Sequence, residues 1–255
     1  MADPGWYVYG VVDAEREAPA DGPLELVRRP PLAAVVAPVD LSEFDDLDER
    51  LNDRAWLERL ALAHEDVLRA VAVGGAVVPF RFGALYRRRE DVELMLDERR
   101  AELVADLGRV RGCVELGVKG YVDRTALEEL LGRERAAAQD AAPGRAYLER
   151  RRAERVVAAE AGELVGDAAR AAHERLLERA VAGVLNRPHS RELSGRNDDM
   201  FLNGAYLVRA GDDAIAHEVD ALGRAYETLR VTFELTGPWP PYNFVGREQP
   251  EEAVR

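Results

Sequence analysis

The sequence predicts an α+β protein of two domains, on three observations. Strand-like runs and helical stripes follow one another in the first half in the order β, β, α, β, α, β. That mixture suits a sheet with its helices on one face, related to ferredoxin-like folds. The second half is again mixed but is built on one long helical stripe, and an alanine-rich polar stretch, RERAAAQDAAPG, separates the halves. The expected domains are residues 1–122, an N-terminal ferredoxin-like α+β domain, and residues 123–255, a C-terminal α+β domain with the long helix.

WYVYGVV (Trp6–Val12) is aromatic and β-branched, hence a strand. A Pro/Gly-bearing loop leads to a second apolar strand, LAAVVAPV (Leu32–Val39). From Asp53 to Val73 the apolar residues Trp56, Leu57, Leu60, Leu62, Ala63, Val67, Leu68 and Val71 recur at helical spacing with a broad buried face. Gly74-Gly75 ends that helix. AVVPFRFG (Ala76–Gly83) reads as a strand that Pro79 confines to an edge. Asp91–Leu107 reads as one helix, Arg111–Asp123 as a strand and Thr125–Leu131 as a short helix. From Pro143 a stripe of small and apolar residues continues to Asn186, where Pro188 stops it. Continuous, that helix would be ~65 Å long at 1.5 Å per residue. HSRELS is read as a short strand and Met200–Arg209 as a clearer one. Asn203-Gly204 inside the latter suggests a hairpin turn or a bulge. Asp212 caps a helix to Leu222 or Tyr226, and Arg230–Gly237 is the last strand.

Composition bounds the function. The 255 residues carry 33% charged and 47% hydrophobic side chains and a net charge of −13. Such an acidic chain is a poor partner for nucleic acid or an anionic membrane surface. The single cysteine, Cys113, excludes an internal disulfide and suits a reducing cytosol. No stretch approaches the roughly 20 apolar residues of a membrane span, and the N-terminus lacks the basic region of a signal peptide. A cytoplasmic protein is expected.

Catalytic motifs are missing where they are sought. HEDVL at His64, HERLL at His173 and HEVDA at His217 lack the second histidine of the zinc-protease spacing, and solvated helix positions are the plainer reading. GCVELGVKG has Val118 where a phosphate loop needs lysine. Cys113 has no adjacent base and reads as a small core residue. No cofactor, metal or small-molecule substrate is expected.

Three stretches stand out besides these. VVPFRFGALY sets Arg81 between Phe80 and Phe82, next to Pro79. Arg81 could anchor a partner or simply pair or stack internally. ERRRAER (Glu149–Arg155) places like charges on one helix face, which favours an acidic neighbour slightly. ELTGPWPPYNFVG (Glu234–Gly246) is a stiff proline-rich strap carrying Trp239, Tyr242 and Phe244. It could staple the C-terminal strand to the rest of the chain or present a docking edge, and the staple is the main expectation. Pro79, Phe80, Arg81, Phe82, Trp239, Tyr242 and Phe244 are therefore the candidate structural or partner-binding residues. A competing reading makes Arg81, Tyr121 and Trp239 the lining of a ligand cleft between the domains, as in a small-molecule-binding or enzymatic α+β protein.

WYVYGVV, HEDVL, VVPFRFGALY, CVELGVKGY, PGRAYLERR, LNGAYLV and LTGPWPPYNFV, in that order from Trp6 to Val245, resemble the gas vesicle protein F/L family. The resemblance implies a two-domain accessory protein of gas vesicles without enzymatic activity. It also implies contact with the small, hydrophobic major shell protein, and with other gas vesicle accessory proteins, during shell assembly. An exposed strand edge near Pro79 would put much of that contact in the N-terminal half.

Overall fold

A computed structural model describes residues 3–17, 23–44, 53–137, 146–191 and 196–246. Its contacts divide the chain into two compact units, Met1–Glu115 with Trp239–Arg255, and Leu116–Pro238. This differs from a cut at 122/123 in two respects. The boundary falls inside a strand rather than after it, and the residues from Trp239 onward rejoin the first unit. The cause is a set of strap contacts described below.

In the first unit the central strand is β1 (Pro4–Asp13). On one side it pairs antiparallel with β3 (Leu32–Asp40), which pairs antiparallel with β2 (Glu25–Arg29). On the other side lie two short strands, β4 (Val78–Pro79) and β5 (Leu85–Tyr86). β1 and β2 are thus parallel with β3 between them, a split arrangement of the ferredoxin-like kind. The connection between them carries no helix among the described residues. Helix α1 (Arg54–Val73) starts where the Asp53 carboxylate accepts the amides of Ala55 and Trp56, and ends at Gly74. It buries Leu68 and Val71 against Val12, Leu26, Ala33, Val35 and Val77. Helices α2 (Arg89–Glu98) and α3 (Arg100–Val110) follow.

Three details depart from the sequence expectation here. β2 is a true strand whose Leu26 and Val27 are buried, and Pro30-Pro31 connects it to β3. The single helix over Asp91–Leu107 is two helices, meeting at Arg99 with φ −98° and ψ 13°. No proline or glycine marks that bend. The strand over Ala76–Gly83 contracts to two residues, because Pro79 has no N–H to continue the ladder. Phe80 N still donates to Tyr9 O at 2.8 Å, and Val8 N to Ala84 O at 2.9 Å, so the far side of β1 stays covered.

The second unit runs from β6 (Cys113–Val122) through α4 (Arg124–Ala137), α5 (Ala146–Leu177), β7 (Ala182–Leu185), β8 (Asp199–Arg209) and α6 (Ala214–Ala225) to β9 (Val231–Trp239). Its sheet order is β7-β8-β6-β9. The full β-α-β-β-α-β alternation is therefore found here, with two helices in the first crossover. α5 buries Val157, Ala161, Ala168, Ala172 and Leu176 along one stripe. It is 32 residues long, or ~48 Å at 1.5 Å per residue. It does not reach Asn186, because Ala182–Leu185 pair with Gly204–Leu207 of β8 instead. β8 passes straight through Asn203-Gly204, so there is no hairpin turn; a Cβ at Gly204 would lie 2.5 Å from the Tyr206 ring. Residues 186–190 carry no regular structure, and 192–194, the end of the expected HSRELS strand, lie outside the described residues. So do 138–145, most of the alanine-rich stretch. Pro238 sits in β9, at a sheet edge, where its missing N–H is tolerated.

One close approach makes a direct test. A Cβ on Gly10 would lie 2.7 Å from the backbone oxygen of Val78, which cannot swing away. Gly10→Ala is expected to lower stability by about 1–3 kcal/mol. An unchanged urea midpoint would contradict this packing.

Candidate functional site

Two of the three stretches singled out by the sequence, VVPFRFGALY and the strap, converge on neighbouring residues of α1. His64 lies on the stripe that carries Leu57, Leu68 and Val71 inward, and only 3% of it is exposed. Its Nδ1 is 2.8 Å from the Tyr7 hydroxyl and its Nε2 is 3.1 Å from Phe80 O. A carbonyl only accepts, so Nε2 carries the proton and Nδ1 accepts from Tyr7 O–H. The Tyr7 oxygen in turn accepts from Gly83 N at 3.2 Å. This chain of bonds ties the Phe80–Gly83 loop to the helix. The ring of Tyr9 stacks on His64, and that of Phe82 meets it edge-on at 6.1 Å. Burial lowers the His64 pKa and raises that of Tyr7 to about 12, so both are neutral near pH 7.

The next residue, Glu65, holds the strap. Its Oε1 accepts from the Tyr242 hydroxyl at 2.8 Å, and the tyrosine packs on the core cluster around Leu68 and Val71. Burial, then this carboxylate, push the Tyr242 pKa far up. Two more carboxylates complete the clamp. Glu115 accepts from Asn243 N at 2.9 Å and from Asn243 Nδ2 at 2.6 Å. Asp106, 2% exposed, accepts from Gly246 N at 2.7 Å and pairs with Arg109, whose guanidinium also donates to Phe244 O at 3.0 Å. Phe244 itself is buried.

The seven candidate residues thus separate by exposure. Pro79, Phe80 and Phe244 are buried, and Phe82 and Tyr242 are half-buried. The edge near Pro79 is accordingly closed: Val77 to Phe80 are all buried and α3 packs beside β4. Arg81 is exposed and Trp239 is 39% exposed. The staple rests on Tyr242 and Phe244 rather than on the tryptophan. Tyr121 is 4% exposed and lies under the Arg196 guanidinium, 4.2 Å from its ring centroid, so its face is not offered to a ligand.

The histidines correct a further expectation. His64 is a core residue, and His173 is half-buried with Nδ1 2.9 Å from the Tyr206 hydroxyl. Of these three histidines, His217 alone is solvated. The helical stripe through His64 was the available signal, since it stands four residues before Leu68 and seven after Leu57. Glu65, Asp106 and Glu115 carried no such signal, because their partners are 128 to 177 residues away in sequence. Cys113 is half-buried rather than a core residue. ERRRAER is exposed over residues 151–155.

A cavity of about 1050 Å³ in the first unit is rimmed by Asp13, Arg16, Arg28 and Arg111. Its arginines are committed. Arg111 holds Asp13 through two bonds of 2.9 Å, Arg28 donates to the Ala14 and Arg16 carbonyls, and Arg16 donates to Val71 O. They order the chain leaving β1. Among the described residues no group of three or more His, Cys, Asp or Glu is placed to hold a metal, and no helix is long and apolar enough to cross a membrane.

The chain matches the gas vesicle synthesis protein GvpL/GvpF family over residues 5–246, and it belongs to that family. It is 35% identical to gas vesicle protein L of Streptomyces sp. (strain CB03234) over 88% of this chain and 84% of that one. It is 27% identical to gas vesicle protein F2 of Halobacterium salinarum over the full length of both. The crystal structure of GvpF from Anabaena sp. PCC7120 has the same fold, with TM-score 0.69 at 17% identity over 96% of this chain and 98% of that one. GvpF from Microcystis aeruginosa is similar, with TM-score 0.66 at 20% identity over 94% and 98%.

Two outcomes follow from the geometry. Phe244→Ala should lower stability by about 3–5 kcal/mol, and the half-exposed Trp239 should cost clearly less on the same change. Equal shifts of the urea midpoint would refute the staple as drawn. The pH dependence has a definite sign. His64 and His173 both have lowered pKa values, through burial first. Below the ordinary value of about 6.5 the unfolded chain binds protons that the folded one refuses. Their contribution is complete above that pH and is lost as pH falls through the folded values. The urea midpoint should drop between pH 7.5 and pH 5.5, and by less in a His64→Gln/His173→Gln variant. The same drop in both proteins would refute the assignment.

Proposed function

We propose that this chain is a non-catalytic accessory or minor structural protein of gas vesicles, acting in the cytoplasm and at the vesicle. It binds the major shell protein directly and supports assembly of the shell, together with other accessory proteins. The observation that carries this reading is the family match over residues 5–246, which takes in both units. The physical setting supports it. The chain is acidic, with a net charge of −13, yet it exposes scattered apolar side chains such as Val73, Val181, Leu185 and Trp239. An apolar shell subunit needs apolar docking area on whatever escorts it, and a charged surround keeps the escort itself dispersed. The strap is proposed as an intramolecular staple, with the exposed Arg81 and Trp239 its neighbours at the surface.

The test is capture of the purified major shell protein by the purified full-length chain, which should be direct and should need no nucleotide or metal. Absence of binding would refute the shell-protein reading. The purified chain is also expected to carry neither stoichiometric metal by elemental analysis nor nucleotide released on denaturation. Either finding would overturn the non-catalytic assignment.

A further inference from the structure

Sheet edges invite added strands unless something blocks them. Among the described residues, three of the four sheet edges are blocked. β2 presents Arg28 and Arg29, and its Glu25 and Arg29 are ion-paired with Arg89 and Asp97. β4 is buried. β9 carries Pro238 and a Glu234 paired with Arg196. The fourth edge, β7, has none of these devices. The run Ala180–Asn186 holds no charged residue and no proline.

The backbone of β7 is poised for pairing. Asn186 N donates to Asn203 O at 2.8 Å, and the register sets Val184 opposite Ala205 and Ala182 opposite Leu207. In an antiparallel ladder alternate residues exchange bonds with the neighbour. Ala182, Val184 and Asn186 therefore face β8, and the N–H and C=O of Gly183 and Leu185 point to the open side. Apolar side chains flank them, with Val181 52% and Leu185 53% exposed. Beside the strand is a pocket of about 210 Å³ whose apolar wall is Leu185, Ala169, Phe201 and Leu202, with Arg170 and Glu174 also on its lining. It is large enough for one branched aliphatic side chain.

We infer that β7 is a docking edge that takes an extended, uncharged, apolar segment of the major shell protein as an added strand. The backbone groups of Gly183 and Leu185 supply the ladder and the adjacent pocket receives one aliphatic side chain. This rests on the shell-protein reading above. An uncharged segment is favoured over a second copy of this chain because two copies, each carrying −13, repel when brought edge to edge.

A Val181→Lys/Leu185→Lys variant tests the inference, since both side chains are exposed and their change should leave the melting temperature nearly unaltered. Binding to the purified major shell protein should weaken at least tenfold. The Gly183 and Leu185 amides should exchange quickly in the free protein and become protected in the complex. Wild-type binding with the variant within twofold of it, or no gain of amide protection, would overturn the docking edge and leave the functional reading standing. A wild-type chain that does not bind the shell protein at all would remove both. A wild-type dimer that the double substitution turns into a monomer would assign the edge to a second copy and overturn the shell segment.

Discussion

Helix α1 bears the constraint on which the first unit depends, the enclosure of the buried His64 ring and of one carboxylate oxygen of the half-buried Glu65 side by side at its middle. Each is a polar group that is costly to bury unless bonded. His64 satisfies both ring nitrogens, through Tyr7 and Phe80. Glu65 satisfies one oxygen through Tyr242, while its Oε2 is buried without a donor among the described residues. That shortfall is unfavourable by about 1–3 kcal/mol. The apolar area covered by the strap and by the Phe80–Gly83 loop has to outweigh it. Remove either segment and the helix would expose a hydrophobic face with a histidine and a carboxylate set into it.

The strap consequently belongs to the unit it clamps rather than to the strand it continues. β9 ends at Trp239 as part of the second sheet, and Pro240 to Gly246 then lie on the first unit, held by Glu65, Asp106 and Glu115. Three carboxylates gathering one short segment also give an acidic chain internal uses for some of its charge. The second unit repeats the histidine device in miniature, with His173 of α5 bonded to Tyr206 of β8. In both units a histidine on a helix bonds a tyrosine on a sheet strand, and burial keeps the imidazole neutral.

The described sheet edges are built in different ways. Ion pairs, burial and a proline close three edges, and each works by withholding backbone partners from a passing strand. β7 is short, uncharged and flanked by apolar side chains. In a protein whose relatives are gas vesicle proteins, an edge left in that condition fits a partner that arrives as a strand.

What the sequence determined by itself was local. β-branched runs specified β1, β3, β6, β8 and β9, a 3.6-residue stripe with Asp53 before it specified α1, and the order of motifs from Trp6 to Val245 carried the family resemblance. Each of these signals sits within a few residues of the structure it encodes. The staple was legible as a purpose, from prolines and aromatics in one short stretch, but not as an address. Only the tertiary structure decided that the strap docks on α1, that His64 is a core residue, that α5 stops at Leu177 so that Ala182–Leu185 can pair with β8, and that the edge near Pro79 is closed. Those outcomes depend on partners far off in the chain, and a hydrogen bond between Tyr242 and Glu65 leaves no periodicity at either end for a local pattern to reveal.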